Sequence, residues 1–145
     1  MSDDSSFAEI ATKNLQVLIL DDDTIALKFV ENTLRKLDVT NLLTAGNGKQ
    51  GLAILAQHSP DLLLCDLGMP EMDGIEFLQQ LSKQKYGGGV ILISGFHAGM
   101  LSGMEVLGKK LDLNILGSLT KPILRDHLAA MIKRFCQSRQ SPQNK

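Results

Sequence analysis

The sequence predicts an α/β domain, a doubly wound parallel sheet of five strands in the order 2-1-3-4-5, with helices on both faces. Three observations predict it. Short aliphatic runs recur along the chain, each stopped by Gly, Pro, Asp or Ser, as expected of strands buried on both faces. Between these runs the apolar spacing changes to the helical period. Strand and helix then alternate, and alternation with right-handed crossovers builds a parallel sheet covered on both sides.

The elements follow in order. Met1 to Asn14 is polar and Ser/Asp-rich at its start and reads as a flexible N-terminal arm, with a short helical turn near Phe7 to Ala11. Gln16 to Leu20 is the first strand and ends at Asp21-Asp22-Asp23. From Thr24, the residues Ala26, Phe29, Val30, Thr33, Leu34 and Leu37 form one helical stripe, which Asp22, Asp23 or Thr24 could cap. Val39 to Ala45 is the second strand, Gly46-Asn47-Gly48 a turn, and Gln50 to Gln57 a short helix. Asp61 to Cys65 is the third strand. Gly74 to Gln84 is helical, with Ile75, Leu78 and Leu81 expected inward. Val90 to Ile93 is the fourth strand, stopping at Ser94-Gly95. A helix over Ala98 to Leu111 should carry Met100, Met104, Leu107 and Leu111 on one face. Asn114 to Leu119 is the fifth strand, weakened by Gly117 and Ser118. The last helix covers Ile123 to Phe135, with Leu124, Leu128, Met131, Ile132 and Phe135 inward. The domain is therefore expected over residues 15–136, and 137–145 reads as a polar tail or the start of a linker.

Composition narrows the function classes. A chain of 145 residues suits one domain with a substantial core. Its 43% hydrophobic and 21% charged residues are those of a globular protein, and a net charge of -1 gives no basic field for nucleic acid or an anionic membrane. No run of eighteen apolar residues spans a membrane, and the start lacks a signal-peptide pattern. The two cysteines, Cys65 and Cys136, form no CxxC and no metal spacing, and read as reduced thiols packing as small hydrophobes. A cytoplasmic location is expected.

In the order 2-1-3-4-5, the winding reverses between strands one and three, and ligands bind outside the carboxyl ends of strands at such a switch point. Asp21-Asp22-Asp23 ends the first strand and Asp66 the third. Asp66 reads either as a turn residue capping the Gly/Pro loop or as a reactive group at the sheet rim. Several carboxylates in one crevice repel each other and call for a counter-ion. A hard divalent cation such as Mg²⁺ suits oxygen ligands and phosphate. Ser94 ends the fourth strand and Lys121 follows the fifth. A hydroxyl and an ammonium facing a carboxylate at a metal describe a phosphoryl site, where positioning and electrostatics do most of the chemistry.

From about Leu15 to Phe135 the chain resembles the response-regulator receiver domain of two-component signalling, a flavodoxin-like fold. The matching pieces are Asp21-Asp22 after the first strand, Asp66 within Leu62-Leu63-Leu64-Cys65-Asp66-Leu67-Gly68-Met69-Pro70-Glu71-Met72-Asp73-Gly74, Ser94-Gly95, and Lys121-Pro122. The resemblance implies that Asp66 accepts a phosphoryl group from a sensor histidine kinase or phosphotransfer protein. It implies that Asp22, Asp66 and the Gly68 carbonyl hold Mg²⁺ with Asp21 assisting, and that Lys121 pairs with Asp66 or its phosphoryl group. Gly95 would leave room for that group beside Ser94, and the Lys121-Pro122 peptide should be cis. The switched face would be the fourth helix, fifth strand and fifth helix, read by a partner, an output domain or a second copy. Two positions depart from the family pattern. Ser118 stands where an aromatic is usual, and Gly68 replaces a larger side chain, leaving Phe96 and its loop to govern water access. More loosely, Leu113 to Pro122 resembles receivers joined to cyclic-di-GMP phosphodiesterase output domains.

Three other readings compete. A haloacid-dehalogenase-type phosphatase also uses a strand-end Asp, a Ser/Thr, a Lys and Mg²⁺, but in Asp21-Asp22-Asp23-Thr24-Ile25 the Thr falls one residue early. The acidic pair such an enzyme needs after its lysine is also missing. A flavin binder of the flavodoxin type would need a phosphate loop where three aspartates stand. A degenerate receiver serving only for docking would not need the full acidic, Ser and Lys set. No enzymatic activity is expected beyond self-phosphorylation and autodephosphorylation. His58, His97 and His127 read as solvated residues, and the methionines as packing.

Overall fold

Aliphatic runs with no polar interruption can lie only where both faces of a strand are covered, and they form the centre of the sheet. The structure, a computed structural model, describes residues 14–69, 73–95 and 98–139. Its strands are β1 (Gln16–Leu20), β2 (Asn41–Ala45), β3 (Leu62–Asp66), β4 (Gly89–Ser94) and β5 (Asn114–Thr120). Its helices are α1 (Thr24–Lys36), α2 (Gly48–His58), α3 (Gly74–Lys83), α4 (Ala98–Lys110) and α5 (Arg125–Arg139). All five strands are parallel, in the order β2-β1-β3-β4-β5. The doubly wound fold expected from the sequence is the one observed.

The sheet separates two apolar layers. Leu18, Leu20, Leu63, Cys65, Val90 and Leu92 point to one side, where Phe77, Leu78, Leu81, Leu101 and Met104 of α3 and α4 pack. Val17, Ile19, Leu62, Leu64, Ile91 and Ile93 point to the other and meet Val30 and Leu34 of α1 and Leu128, Ile132 and Phe135 of α5. Successive residues of a strand face opposite sides, so each run feeds both layers at once.

Short oxygen side chains fix the helix starts. Asp23 caps α1, Asn47 caps α2 and Asp73 caps α3, each accepting from first-turn N–H groups. At the end of α1, Asp38 adopts a left-handed conformation (φ 67) and the Val39 N–H bonds back to the Leu34 carbonyl. Val39 therefore belongs to the helix terminus, and β2 begins at Asn41 rather than at Val39 as the pattern suggested.

Two residues expected inward, Ile75 and Leu124, are turned out, and Met100 lies at the edge of its stripe. Ile75 is 51% exposed, because it lies roughly a third of a turn from the stripe set by Phe77, Leu78 and Leu81. Met100 is 41% exposed, at the margin of the face that Leu101, Met104 and Gly108 bury. Leu124 is exposed because α5 begins one residue later, at Arg125. That helix also runs on to Arg139, past the polar boundary expected at residue 137. Arg139 pairs with Asp61 at 2.9 Å and lies over the Phe135 ring, which holds the last turn in place. The expected helical turn near Phe7 to Ala11 and the polar end from residue 140 lie outside the described residues.

Close approach of backbone explains one glycine. A Cβ on Gly88 would press on the Tyr86 hydroxyl and stand 2.7 Å from the Asp61 carbonyl oxygen, whereas one on Gly87 would meet nothing within 4 Å. Gly88→Ala should lower the free energy of unfolding by about 1–3 kcal/mol through overpacking. Gly87→Ala should leave it nearly unchanged. Urea titration of the two variants against wild type checks the contrast.

Candidate functional site at the carboxyl edge of the sheet

Strands β1 and β3 lie side by side, in register from Val17 opposite Leu62 to Leu20 opposite Cys65. The next residue of each chain is an aspartate, so Asp21 and Asp66 emerge together at the carboxyl edge. Both are almost fully buried, at 2% and 3% exposure. Each accepts a hydrogen bond from a backbone N–H two residues on: Asp21 Oδ1 from Asp23 at 2.9 Å, and Asp66 Oδ1 from Gly68 at 2.8 Å. These local turns fix one oxygen of each carboxylate and aim the other into the crevice.

Lys121 occupies the space between them. Its Nζ lies 2.9 Å from Asp66 Oδ2 and 3.0 Å from Asp21 Oδ2. The lysine is placed by the backbone, since its N–H donates to the Ser94 carbonyl at 2.9 Å, tying the end of β5 to the end of β4. The Lys121-Pro122 peptide is cis, as the resemblance implied. Ser94 is 1% exposed and stands in register with Thr120. Gly95 lies against the lysine stem, and a Cβ there would make ordinary contact at 3.7 Å. Thus Asp21, Asp66, Ser94, Gly95 and Lys121 come together at one edge, with Gly68 joined to Asp66. Phe96 and His97 lie outside the described residues.

The electrostatics follow from burial and proximity. Burial raises the Asp21 carboxyl above its ordinary range, and the neighbouring Asp66 charge adds to this against the opposing hydrogen bonds from Asp23 and Lys121. Burial alone would lower the Lys121 ammonium, but its hydrogen bonds to Asp66 and Asp21 outweigh that and hold it above its usual value. The lysine therefore stays charged. Burial also raises the Cys65 thiol beside Asp66, which keeps it protonated and unreactive.

Asp21, Asp22 and Asp66 each offer an oxygen, and the three oxygens lie within 4.8 Å of one another. Asp22 is exposed while its two neighbours are buried, so the cluster opens to solvent on one side. An all-oxygen donor set with access for water fits a hard divalent cation such as Mg²⁺. Two contributions were not read from the sequence. Asp73 caps α3, and Glu76 three residues later is the recognisable helix-start signal. Ser118 donates to Glu105 of α4 at 2.5 Å, a long-range pairing that no local pattern announces.

An acidic crevice at the switch point of a 2-1-3-4-5 sheet, with a lysine and a serine from the adjoining strand ends, defines the class: an α/β domain built to manage negative charge at one edge. The family model of the response regulator receiver domain matches residues 17–133, and the chain belongs to that family. It is a receiver domain of two-component signalling. It is 33% identical over 132 residues to the cyclic di-GMP phosphodiesterase RocR of Pseudomonas aeruginosa, covering 88% of this chain and 33% of that protein. It is 28% identical over 132 residues to the probable C4-dicarboxylate response regulator DctR of Bacillus subtilis, covering 90% of this chain and 56% of the other. The chain thus spans about half the length of one curated relative and a third of the other. A crystal structure of a response regulator from Colwellia psychrerythraea superposes with a TM-score of 0.71 at 31% identity, covering 89% of this chain and 98% of that one. Among the described residues, no helix is long and apolar enough to cross a membrane.

Removing the bridging cation leaves two buried carboxylates facing each other. Lys121→Met should therefore lower the free energy of unfolding by about 1–3 kcal/mol when measured in the presence of a chelator. Denaturant titration compares it with wild type, and an equal or higher stability would contradict the role given to the bridge.

Proposed function

We propose that Asp66 is the phosphoacceptor of a phosphorylation-dependent signalling switch. The observation that carries this reading is Lys121 Nζ set between Asp21 and Asp66 at 3.0 and 2.9 Å, at the junction of three strand ends. An Asp66 carboxylate oxygen attacks the phosphorus of a phosphohistidine presented by a sensor histidine kinase or phosphotransfer protein. The P–O bond forms as the P–N bond breaks, and the imidazole leaves with the bond's electrons and takes up a proton. Asp66 then carries an acyl phosphate. Lys121, already oriented by its backbone bond to Ser94, neutralises the new charge, and the Ser94 hydroxyl donates to a phosphoryl oxygen. Gly95 offers no side chain to crowd that position.

Asp21, Asp22, Asp66 and the Gly68 carbonyl would hold Mg²⁺. When bound, it supplies positive charge to the carboxylate and phosphoryl oxygens during transfer. The charge arriving on Asp66 alters the contacts of Lys121 and Ser94, and contacts made in only one of two states shift the balance between them. The face of α4, β5 and α5 is the proposed output surface, read by a partner protein, an output domain or a second copy of the chain. Similarity to RocR, which the chain covers only in part, supports an attached phosphodiesterase-type output as one arrangement. The full charged set argues against a degenerate domain used only for docking. Family membership with receivers weighs against the phosphatase reading.

Incubation with acetyl phosphate and Mg²⁺, followed by intact-mass measurement, should add one phosphoryl group to wild type and none to Asp66→Asn. A chelator should prevent the addition. Sustained hydrolysis of phosphate esters without labelling of the protein would favour the phosphatase instead.

A further inference from the structure

We propose that the hydrogen bond from Ser118 to Glu105 fastens the middle of α4 to β5 and limits how far a change at Asp66 spreads along that helix. The second part rests on the reading of Asp66 as phosphoacceptor. The fastening depends first on an irregularity in β5. Val90 pairs with Ile115, but Ile91 pairs with Gly117, so Leu116 is an extra residue. A bulge of this kind changes which side the following residues face. Leu116 packs in the α1/α5 layer, and a Cβ on Gly117 would meet Met131 of α5 at 2.9 Å. The next residue, Ser118, is thereby delivered to the α4 side opposite Leu92, whose own side chain lies in that layer.

There its hydroxyl donates to Glu105 Oε2 at 2.5 Å, in a half-buried setting. A short hydroxyl–carboxylate bond is stronger than a neutral one, and loss of its partner leaves a half-buried carboxylate unsatisfied. One turn further on, a Cβ on Gly108 would lie 2.6 Å from Ile115 Cδ1, so the end of the helix is seated directly on β5. The beginning of α4, by contrast, starts four residues after Ser94. Glu105 thus lies between the start of the helix, four residues beyond Ser94 in the chain, and Gly108, which sits directly on Ile115 of β5.

Hydrogen exchange of α4 amides provides the test, on wild type, Ser118→Ala, Ser118→Thr and Glu105→Ala, with and without acetyl phosphate and Mg²⁺. Without the donor, Ser118→Ala and Glu105→Ala should exchange about tenfold faster in α4, while β1 and β3 stay at wild-type rates. Ser118→Thr, which keeps the hydroxyl, should match wild type. In phosphorylated wild type the change should stop near Glu105, and in Ser118→Ala it should reach Lys110. Unchanged α4 exchange in Ser118→Ala, or an increase shared equally by β1 and β3, overturns the fastening. Intact mass is recorded on the same samples. Wild type that takes no label overturns the phosphoacceptor reading and the limit on spread with it, while the donor-free comparison still decides the fastening separately.

Discussion

Two buried aspartates, one just past the end of β1 and one ending β3, cannot face each other across a crevice without a positive charge between them. Lys121 supplies that charge, bonded to Asp66 and Asp21 alike. The remaining architecture serves this contact. Parallel pairing of β1 with β3 brings the carboxylates level, and pairing of β4 with β5 brings the lysine to the same edge. The 2-1-3-4-5 order makes that edge the place where the helices diverge to opposite faces. The ammonium is a strongly hydrated point charge on a flexible stem, so it can follow a negative charge that moves or grows.

Much of this was legible in the chain because it depends on local punctuation. An aliphatic run that halts at a carboxylate names both the strand and the residue at its tip, which is how Asp21 and Asp66 stood out. Topology then required their convergence, and no distance had to be known. Ser94 and Lys121 were found in the same way, from the ends of two further strands. The cis peptide before Pro122 came only from family resemblance.

What escaped the sequence depends on pairs that are remote or on small rotations. Ile75 and Met100 are apolar, and only the angular position of the buried stripe shows that they point out. Arg139 looked like part of a polar end until Asp61, far back in the chain, proved to be its partner. Ser118 looked like a weakness in a strand, since neither the bulge before it nor Glu105 on the neighbouring helix can be read from a window around it.

The extra residue in β5 has a consequence for assembly of the sheet. Because the strand changes phase at Leu116 and Gly117, its two ends obey opposite parities, and no uniform slide of β5 along β4 can satisfy both. A misaligned edge strand would put either Ile115 or Leu119 against the wrong layer. The irregularity acts as a key that admits one alignment, the one that carries Lys121 to the two aspartates.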